Sequence, residues 1–208
     1  MKHEISKLSS SITTVFFDVG GVLLEDYVDK KIVDLADKFK KDQEIMLQLR
    51  KQYRPLADSG QITDKEFWRR VLKAVGITAV AEDWKIDNYE KAIKGGIDIP
   101  IRMKQHGYRI AILSNDSKES SDLRRKKYNF DDIFDEIIFS NAYGIIKPNA
   151  GIFELALNKL NVRPEQSLFI DDREENVKCS RKIGIYSILF ENVDQLIDEL
   201  KDLGIDIL

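Results

Sequence analysis

Four stretches of this chain place carboxylate, hydroxyl and ammonium groups directly after short apolar runs. "TTVFF" ends in Asp18 and continues into Val19, Gly20 and Gly21. "YRIAIL" is followed by Ser114, Asn115 and Asp116, and "EIIF" leads into a loop that carries Lys147 before Pro148. "SLFI" is followed by Asp171 and Asp172. If Asp18, Asp171 and Asp172 meet, they repel one another strongly unless a cation lies among them. Hard oxygen donors with open positions suit Mg²⁺, which keeps waters and a substrate phosphate in its shell. Lys147 and Ser114 supply a positive charge and a hydroxyl donor for the same phosphate. The set describes phosphoryl transfer: a carboxylate nucleophile (Asp18), a metal held by Asp18, Asp171 and Asp172, and a cationic clamp. Gly20 and Gly21 permit a tight turn, so that backbone N–H groups from Val19 onward approach phosphate oxygens.

Taken singly, each residue has an ordinary reading. Asp18 caps a turn, Lys147 is solvated, Asp171 and Asp172 cap the helix that begins at "REEN", and Ser114 simply ends a strand. Asn176, five residues after Asp171, either bonds the acidic loop as a supporting residue or caps the turn. The order of the four groups, each at a strand end, is what the ordinary readings leave unexplained.

The elements that must position these groups follow from the apolar pattern. Runs at 13–17, 108–113, 136–139, 167–170 and 185–190 are short and mostly unalternating, as expected of strands covered on both faces. Helical patterns at about 117–128, 149–160, 173–183 and 193–203 alternate with the last four, which predicts a parallel α/β sheet with helices on both faces. The first two strands are separated by about ninety residues of helical pattern. Val28, Ile32, Leu35, Ala36 and Phe39 mark one helical face. Thr63 and Glu66 form a capping-box pattern, and Ile86, Tyr89 and Ile93 mark a further helix. Pro100 opens and Gly107 stops a helix near 98–106 that leads back to the sheet. The expected organisation is a core of residues 1–23 and 97–208 with an inserted α-helical bundle over 24–96.

Composition removes several function classes. There are 33 basic and 36 acidic residues, so the net charge of −3 gives no reason to expect a nucleic-acid or anionic-membrane partner. "RRKK" at 124–127 reads as a solvated helix face. The single cysteine, Cys179, excludes an intrachain disulfide and a cysteine zinc cluster, and a cytoplasmic setting is expected. The first dozen residues lack a signal-peptide apolar core, and no apolar run reaches membrane-spanning length. The two histidines are His3, in a polar stretch, and His106, at a helix end, which leaves little material for Ser-His-Asp or Cys-His catalysis. The pattern does not define an oligomeric state.

The four motifs together resemble those of the haloacid dehalogenase superfamily. "FFDVGGVLL" is similar to its first motif, with Asp18 as nucleophile, and "ILSND" to its second, with Ser114. "GIIKPNAGIFELAL" is similar to the third, with Lys147, and "SLFIDDREENVKCSRKIGI" to the fourth, with Asp171 and Asp172. The resemblance spans nearly the whole chain. It implies a Rossmann-like core with the first strand central, a helical cap inserted after the first motif, and placement near the epoxide-hydrolase-like phosphatases. "DSGQITDKEFW" at 58–68 sits where such caps carry a similar phrase. The expected activity is Mg²⁺-dependent hydrolysis of a small phosphorylated metabolite through an aspartyl-phosphate. Val19, Gly20, Gly21, Ser114, Asn115 and Lys147 are expected to bind phosphate, and the Gly20 carbonyl to join the metal ligands.

One residue departs from the family pattern. Its phosphatases commonly carry Asp two places after the nucleophile, as the acid that protonates the leaving group. Here that residue is Gly20. General acid–base catalysis contributes about 10²–10⁴-fold. Either another carboxylate (Glu25, Asp26, Asp116 or a cap residue) reaches in, or the leaving group needs no proton, or the chain is a weakly active or non-catalytic relative. Members of the epoxide-hydrolase-like branch resemble this chain in having Gly there. A 2-haloacid dehalogenase is a further alternative, opposed by Asp171 and Asp172, which that chemistry does not require. Within the cap, Arg50, Tyr53 and Arg54 fall on one helix side and offer a site for an anionic or sugar-like group, or form a basic helix end with a packed tyrosine. Trp68 beside Phe67 reads as cap core.

Overall fold

A computed structural model describes residues 12–78 and 90–207. Five parallel strands form one sheet in the order β3-β2-β1-β4-β5. They are β1 (Thr14–Phe17), β2 (Arg109–Ser114), β3 (Glu136–Phe139), β4 (Ser167–Asp171) and β5 (Tyr186–Leu189). β1 is central: Phe17 registers with Ile112 on β2 and with Ile170 on β4. All of β1 and β4 is buried. That is why these segments lack polar alternation: both faces of the sheet are covered.

The period-two alternation of strand side chains divides the core. Val15, Phe17, Ile110, Ile112, Leu168 and Ile170 pack on one face. There they meet Ile99 and Met103 of α4 (Asp98–Gln105) and Leu196 and Leu200 of α9 (Val193–Asp202). Phe16, Ala111, Leu113 and Phe169 face the other way, onto Phe153, Ala156 and Leu160 of α7 (Ala150–Leu160). Helices α5 (Lys118–Lys127), α6 (Phe130–Ile133) and α8 (Glu174–Lys182) complete the crossovers.

Between β1 and β2 lie α1 (Tyr27–Phe39), α2 (Gln43–Asp58) and α3 (Asp64–Ala74). They bury their own apolar cluster, including Val28, Ile32, Leu35, Met46, Phe67, Trp68 and Val71. Asp26, Asp42 and Thr63 cap the three helices by accepting from Val28, Ile45 and Glu66 N–H. No helix among the described residues is long and apolar enough to cross a membrane.

Several expectations change here. The Glu66 side chain does not close the capping box: it pairs with Arg69 at 2.6 Å and Arg70 at 2.7 Å. The helix marked by Ile86, Tyr89 and Ile93 falls largely outside the described residues. Ile93 itself is not helical; its N–H donates to the Leu23 carbonyl and its side chain packs on the main core. "RRKK" is not wholly a solvated face, because Arg124 is buried at 4% exposure. Of the two readings of Arg50, Tyr53 and Arg54, the packed tyrosine describes Tyr53: it packs against the apolar cluster of α1–α3, with the Arg70 guanidinium over its ring.

Candidate active site

In a parallel sheet, strand order reverses where neighbouring connections leave in opposite directions, and ligands bind beyond the carboxyl ends there. β1 is that point in this sheet. Its end places Asp18 between the ends of β2 and β4, and the Asp18 N–H donates to the Ile170 carbonyl at 2.9 Å. β4 ends in Asp171, with Asp172 next to it. Oxygen atoms of Asp18, Asp171 and Asp172 come within 4.8 Å of one another. β2 delivers Ser114, and the loop after β3 delivers Lys147.

Lys147 ties the cluster together. Its Nζ donates to the Leu113 carbonyl at 2.9 Å and to Asp171 Oδ2 at 2.6 Å, and lies 3.0 Å from Asp18 Oδ1. Asn115 holds the Lys147 backbone on both sides, donating to its carbonyl at 2.9 Å and accepting from its N–H at 2.8 Å. Asn115 therefore reaches the site chiefly through Lys147. Asn176 Nδ2 donates to both Asp171 oxygens, at 2.9 and 3.0 Å, and the Arg173 N–H donates to Asp171 Oδ1 at 2.8 Å. Asp171 is the most heavily bonded of the three carboxylates. Arg173, not an aspartate, occupies the N-cap position of α8.

The electrostatics follow from burial. Burial pushes the Asp18 carboxyl up; Lys147 opposes this, Asp171 adds to it, and the Ser114 hydroxyl favours the charged form. That hydroxyl is buried and makes no hydrogen bond of full geometry. Burial alone would lower the Lys147 ammonium, but Asp171 and Asp18 hold it above its ordinary value. Asp172 is pushed up to about 7, first by burial and then by Asp18 and Asp171. One ammonium among three carboxylates leaves an excess of negative charge. The donor set is all oxygen, compact and electron-rich, which fits a hard divalent cation of the Mg²⁺ type.

The turn after Asp18 treats its two glycines differently. Gly21 has φ +78°, and a Cβ there would collide with the Asp172 carboxylate. At Gly20 a Cβ would meet nothing within 4 Å. Gly21 N–H is already spent on the Leu24 carbonyl at 2.7 Å, and Val19 N–H on Asp18 Oδ1 at 2.7 Å. Among the described residues, Gly20 N–H meets no such partner. Of the three N–H groups expected to bind phosphate, only that of Gly20 is uncommitted, because the turn uses the other two.

A cavity of about 50 Å³ lies over this cluster, lined on the core side by Asp18, Gly20, Asn115, Lys147 and Asn176. Asp26, Val28, Arg50, Arg54, Asp58, Arg124 and Arg173 line the rest. Of the carboxylates considered for the missing acid, Asp116 is fully buried between Arg124, at 2.8 Å, and Arg54, at 3.4 Å. Both its oxygens are engaged, so it does not serve. Asp26 caps α1 with Oδ1, and Oδ2 lies 3.6 Å from Arg50 and 3.5 Å from Arg173. Glu25 is exposed and does not line the cavity. Asp58, Arg124 and Arg173 were not singled out from the sequence. Each lies on an element whose partner across the cavity is far away in the chain.

Around Arg54 and Arg124 a buried polar network joins the inserted helices to α5. Arg54 also pairs with Asp58 at 2.7 Å and Asp64 at 3.2 Å. Asp64 Oδ2 accepts from Ser117 and Ser120, both at 2.7 Å, and Ser120 Oγ meets Tyr27 OH at 2.9 Å. Arg124 pairs with Glu90.

This chain is similar to hydrolases of known sequence or structure. "Flavin mononucleotide hydrolase 1" of Arabidopsis thaliana is 43% identical over 61 residues, 29% of this chain and 25% of that protein. "Glyceraldehyde 3-phosphate phosphatase" of Pyrococcus abyssi is 26% identical over 104 residues, 50% of this chain and 44% of that protein. The match thus spans less than half the length of either relative. A HAD family enzyme from Bacteroides thetaiotaomicron, in complex with magnesium and inorganic phosphate, shares the fold with a TM-score of 0.68 at 19% identity. That similarity covers 89% of this chain and 98% of the other. The family model for haloacid dehalogenase-like hydrolases matches residues 12–184, a span that runs from the start of β1 past the end of α8 and takes in every residue of the acidic cluster and its lysine; the chain belongs to that family of hydrolases.

Proposed function

We propose that this chain is a Mg²⁺-dependent phosphatase that hydrolyses a small phosphorylated metabolite through an aspartyl-phosphate on Asp18. The observation that carries this reading is the convergence of Lys147 on both Asp18 and Asp171, with Asp172 alongside. A buried ammonium against a buried carboxylate at a sheet's reactive edge is the arrangement a phosphoryl group needs: a nucleophile, and a fixed positive charge for the oxygens that gain charge. The two phosphatase relatives support the same reaction class.

Asp18 attacks phosphorus in line with the departing oxygen. Lys147, Ser114 and the Gly20 N–H orient the phosphate oxygens. Asn115 holds the lysine backbone, and Asn176 holds Asp171. Mg²⁺ held by Asp18, Asp171, Asp172 and the Gly20 carbonyl would neutralise phosphate charge and relieve the repulsion among the carboxylates. Water then opens the aspartyl-phosphate and regenerates Asp18.

Residues 24–96 act in this reading as a helical cap over a core of 1–23 and 97–208. The separate apolar cluster of α1–α3 supports that division. The setting we propose is the cytoplasm, consistent with the unpaired Cys179. The test is phosphate release from p-nitrophenyl phosphate and a panel of phosphorylated metabolites with Mg²⁺. Wild type releases phosphate and Asp18→Asn does not; activity retained in Asp18→Asn would overturn the assignment.

A further inference from the structure

The phosphatase reading leaves one role unfilled, since Gly20 brings no carboxylate. We propose that Asp58, at the C-terminal end of α2, is the catalytic acid and base that acts in place of the residue missing at Gly20. The proposal rests on the phosphatase reading of the site.

Three observations carry it. First, position: among the described residues, Asp18, Asp26 and Asp58 are the carboxylates that line the cavity. Asp18 is the nucleophile, and Asp26 spends its oxygens on the α1 N-terminus and between two arginines. Second, rigidity. Ser140, just after β3, donates its hydroxyl to the Asp58 carbonyl at 2.5 Å. Gly60, with φ +72°, lets the turn after α2 press against the Asn141 carbonyl, where a Cβ would sit 2.7 Å away. The end of α2 is therefore seated on the sheet edge, as a group held for proton transfer must be. Third, chemistry. Asp58 is largely buried, and Oδ1 lies 2.7 Å from Arg54 Nε without a well-aligned hydrogen bond. Burial raises its carboxyl toward the protonated form an acid needs, Asp64 adds to this, and the opposing pull of Arg54, Arg50 and Arg173 does not cancel it. Gly20 and Asp58 line the same cavity, and a Cβ at Gly20 would meet nothing within 4 Å, so no neighbouring side chain has taken the place of the missing one.

The proton balance closes over two steps. As Asp18 Oδ bonds to phosphorus and the ester P–O bond breaks, the Asp58 carboxyl gives its proton to the leaving oxygen, which departs as an alcohol. In the second step the Asp58 carboxylate takes a proton from water as that water bonds to phosphorus and the Asp18–phosphorus bond breaks. Phosphate leaves, and both aspartates return to their starting states.

The experiment compares Asp58→Asn with wild type on phenyl phosphate, a poor leaving group, and p-nitrophenyl phosphate, a good one. Both are followed in a single turnover with Mg²⁺, alongside thermal melting. The expected loss on the phenyl ester is about 10²–10³-fold, with less than about tenfold on release of p-nitrophenol. The double variant Gly20→Asp/Asp58→Asn should regain at least tenfold on the phenyl ester. If Asp58→Asn does not fold, Asp58→Glu carries the test: it keeps a carboxyl group beside Arg54 but displaces the proton donor, and must still penalise the phenyl ester more. Equal losses on both esters, or no rescue from position 20, overturn the proposal while leaving the role of Asp18 intact. If wild type hydrolyses neither ester and Asp18→Asn changes nothing, the phosphatase reading fails first and the proposal fails with it.

Discussion

Lys147 Nζ lies 3.0 Å from Asp18 Oδ1, and both side chains are nearly sealed from solvent. The same ammonium reaches Asp171 at 2.6 Å, so one cation compensates two buried carboxylates. Replacing Lys147 by Met leaves both without their partner. Removing one member of a buried ion pair typically costs about 3–5 kcal/mol. We expect a loss of that order by urea unfolding, partly recovered on adding Mg²⁺, which binds only the folded state. Phosphate release should fall by at least about 100-fold. A variant of unchanged stability would show that Lys147 is not the counter-charge.

Adjacent glycines should respond oppositely to alanine. Gly20 has an ordinary φ and open space, so Gly20→Ala is expected to be neutral or to stabilise by about 0.4–1 kcal/mol through the unfolded chain. Gly21→Ala meets both a left-handed backbone and the Asp172 carboxylate, and should cost about 1–3 kcal/mol. Thermal melting of the two variants reads the difference directly. Equal midpoints would contradict the turn geometry.

Proton and cation compete for Asp172. In the metal-free protein burial, Asp18 and Asp171 raise its carboxyl to about 7, above the ordinary value of 3.8. Between those values the folded chain holds a proton that the unfolded chain has released. The slope of stability with pH is therefore negative, and the metal-free fold loses stability as pH rises from about 4 to about 7. Mg²⁺ affinity runs the other way. It should rise up to about tenfold per pH unit toward pH 7 and flatten above it, as the competing proton is lost. Titration calorimetry at several pH values gives the slope. Affinity independent of pH across this range would exclude Asp172 from the cation site.

The buried network around Asp116 should hold the inserted helices to the core. Asp116 is flanked by Arg54 and Arg124, and burial pushes its carboxyl up to about 7 against their pull. Asp116→Ala takes one carboxylate from two buried guanidiniums, which keep Asp58, Asp64 and Glu90 as partners, and is expected to cost about 1.5–3 kcal/mol. Glu66→Ala serves as the control, because its pairs with exposed Arg69 and half-buried Arg70 lie at the surface, where such pairs contribute little. If both variants melt alike, the network contributes nothing to stability.

Much of the fold was legible because its signals are local. Short, mostly apolar runs such as "TVFF" and "SLFI" fit strands covered on both faces, and their alternation with helical patterns points to parallel connections. Asp18, Ser114, Lys147 and Asp171 were legible for a related reason: each immediately follows such a strand, or the loop after one. Arg124 reads as solvated because a basic run looks alike whether or not distant carboxylates, here Glu90, and Asp116 in the loop after β2, reach it. Tyr53 was grouped with its arginines by helical spacing, which does not say which neighbour lies across each face. The phosphate-binding backbone was over-assigned, since the residue types of Val19 and Gly21 do not reveal that their N–H groups are already bonded.

What the sequence by itself determined was the parallel sheet, the helical insertion and the set of groups that meet at the strand ends. Apolar run length, capping residues and order along the chain are written in neighbouring positions. What only the tertiary structure decided was pairing. Lys147 between Asp18 and Asp171, Asp116 between two arginines, and Asp58 over the cavity each join elements distant in sequence. Such contacts depend on which faces pack, and on which hydrogen bonds remain unspent once the backbone has closed its own.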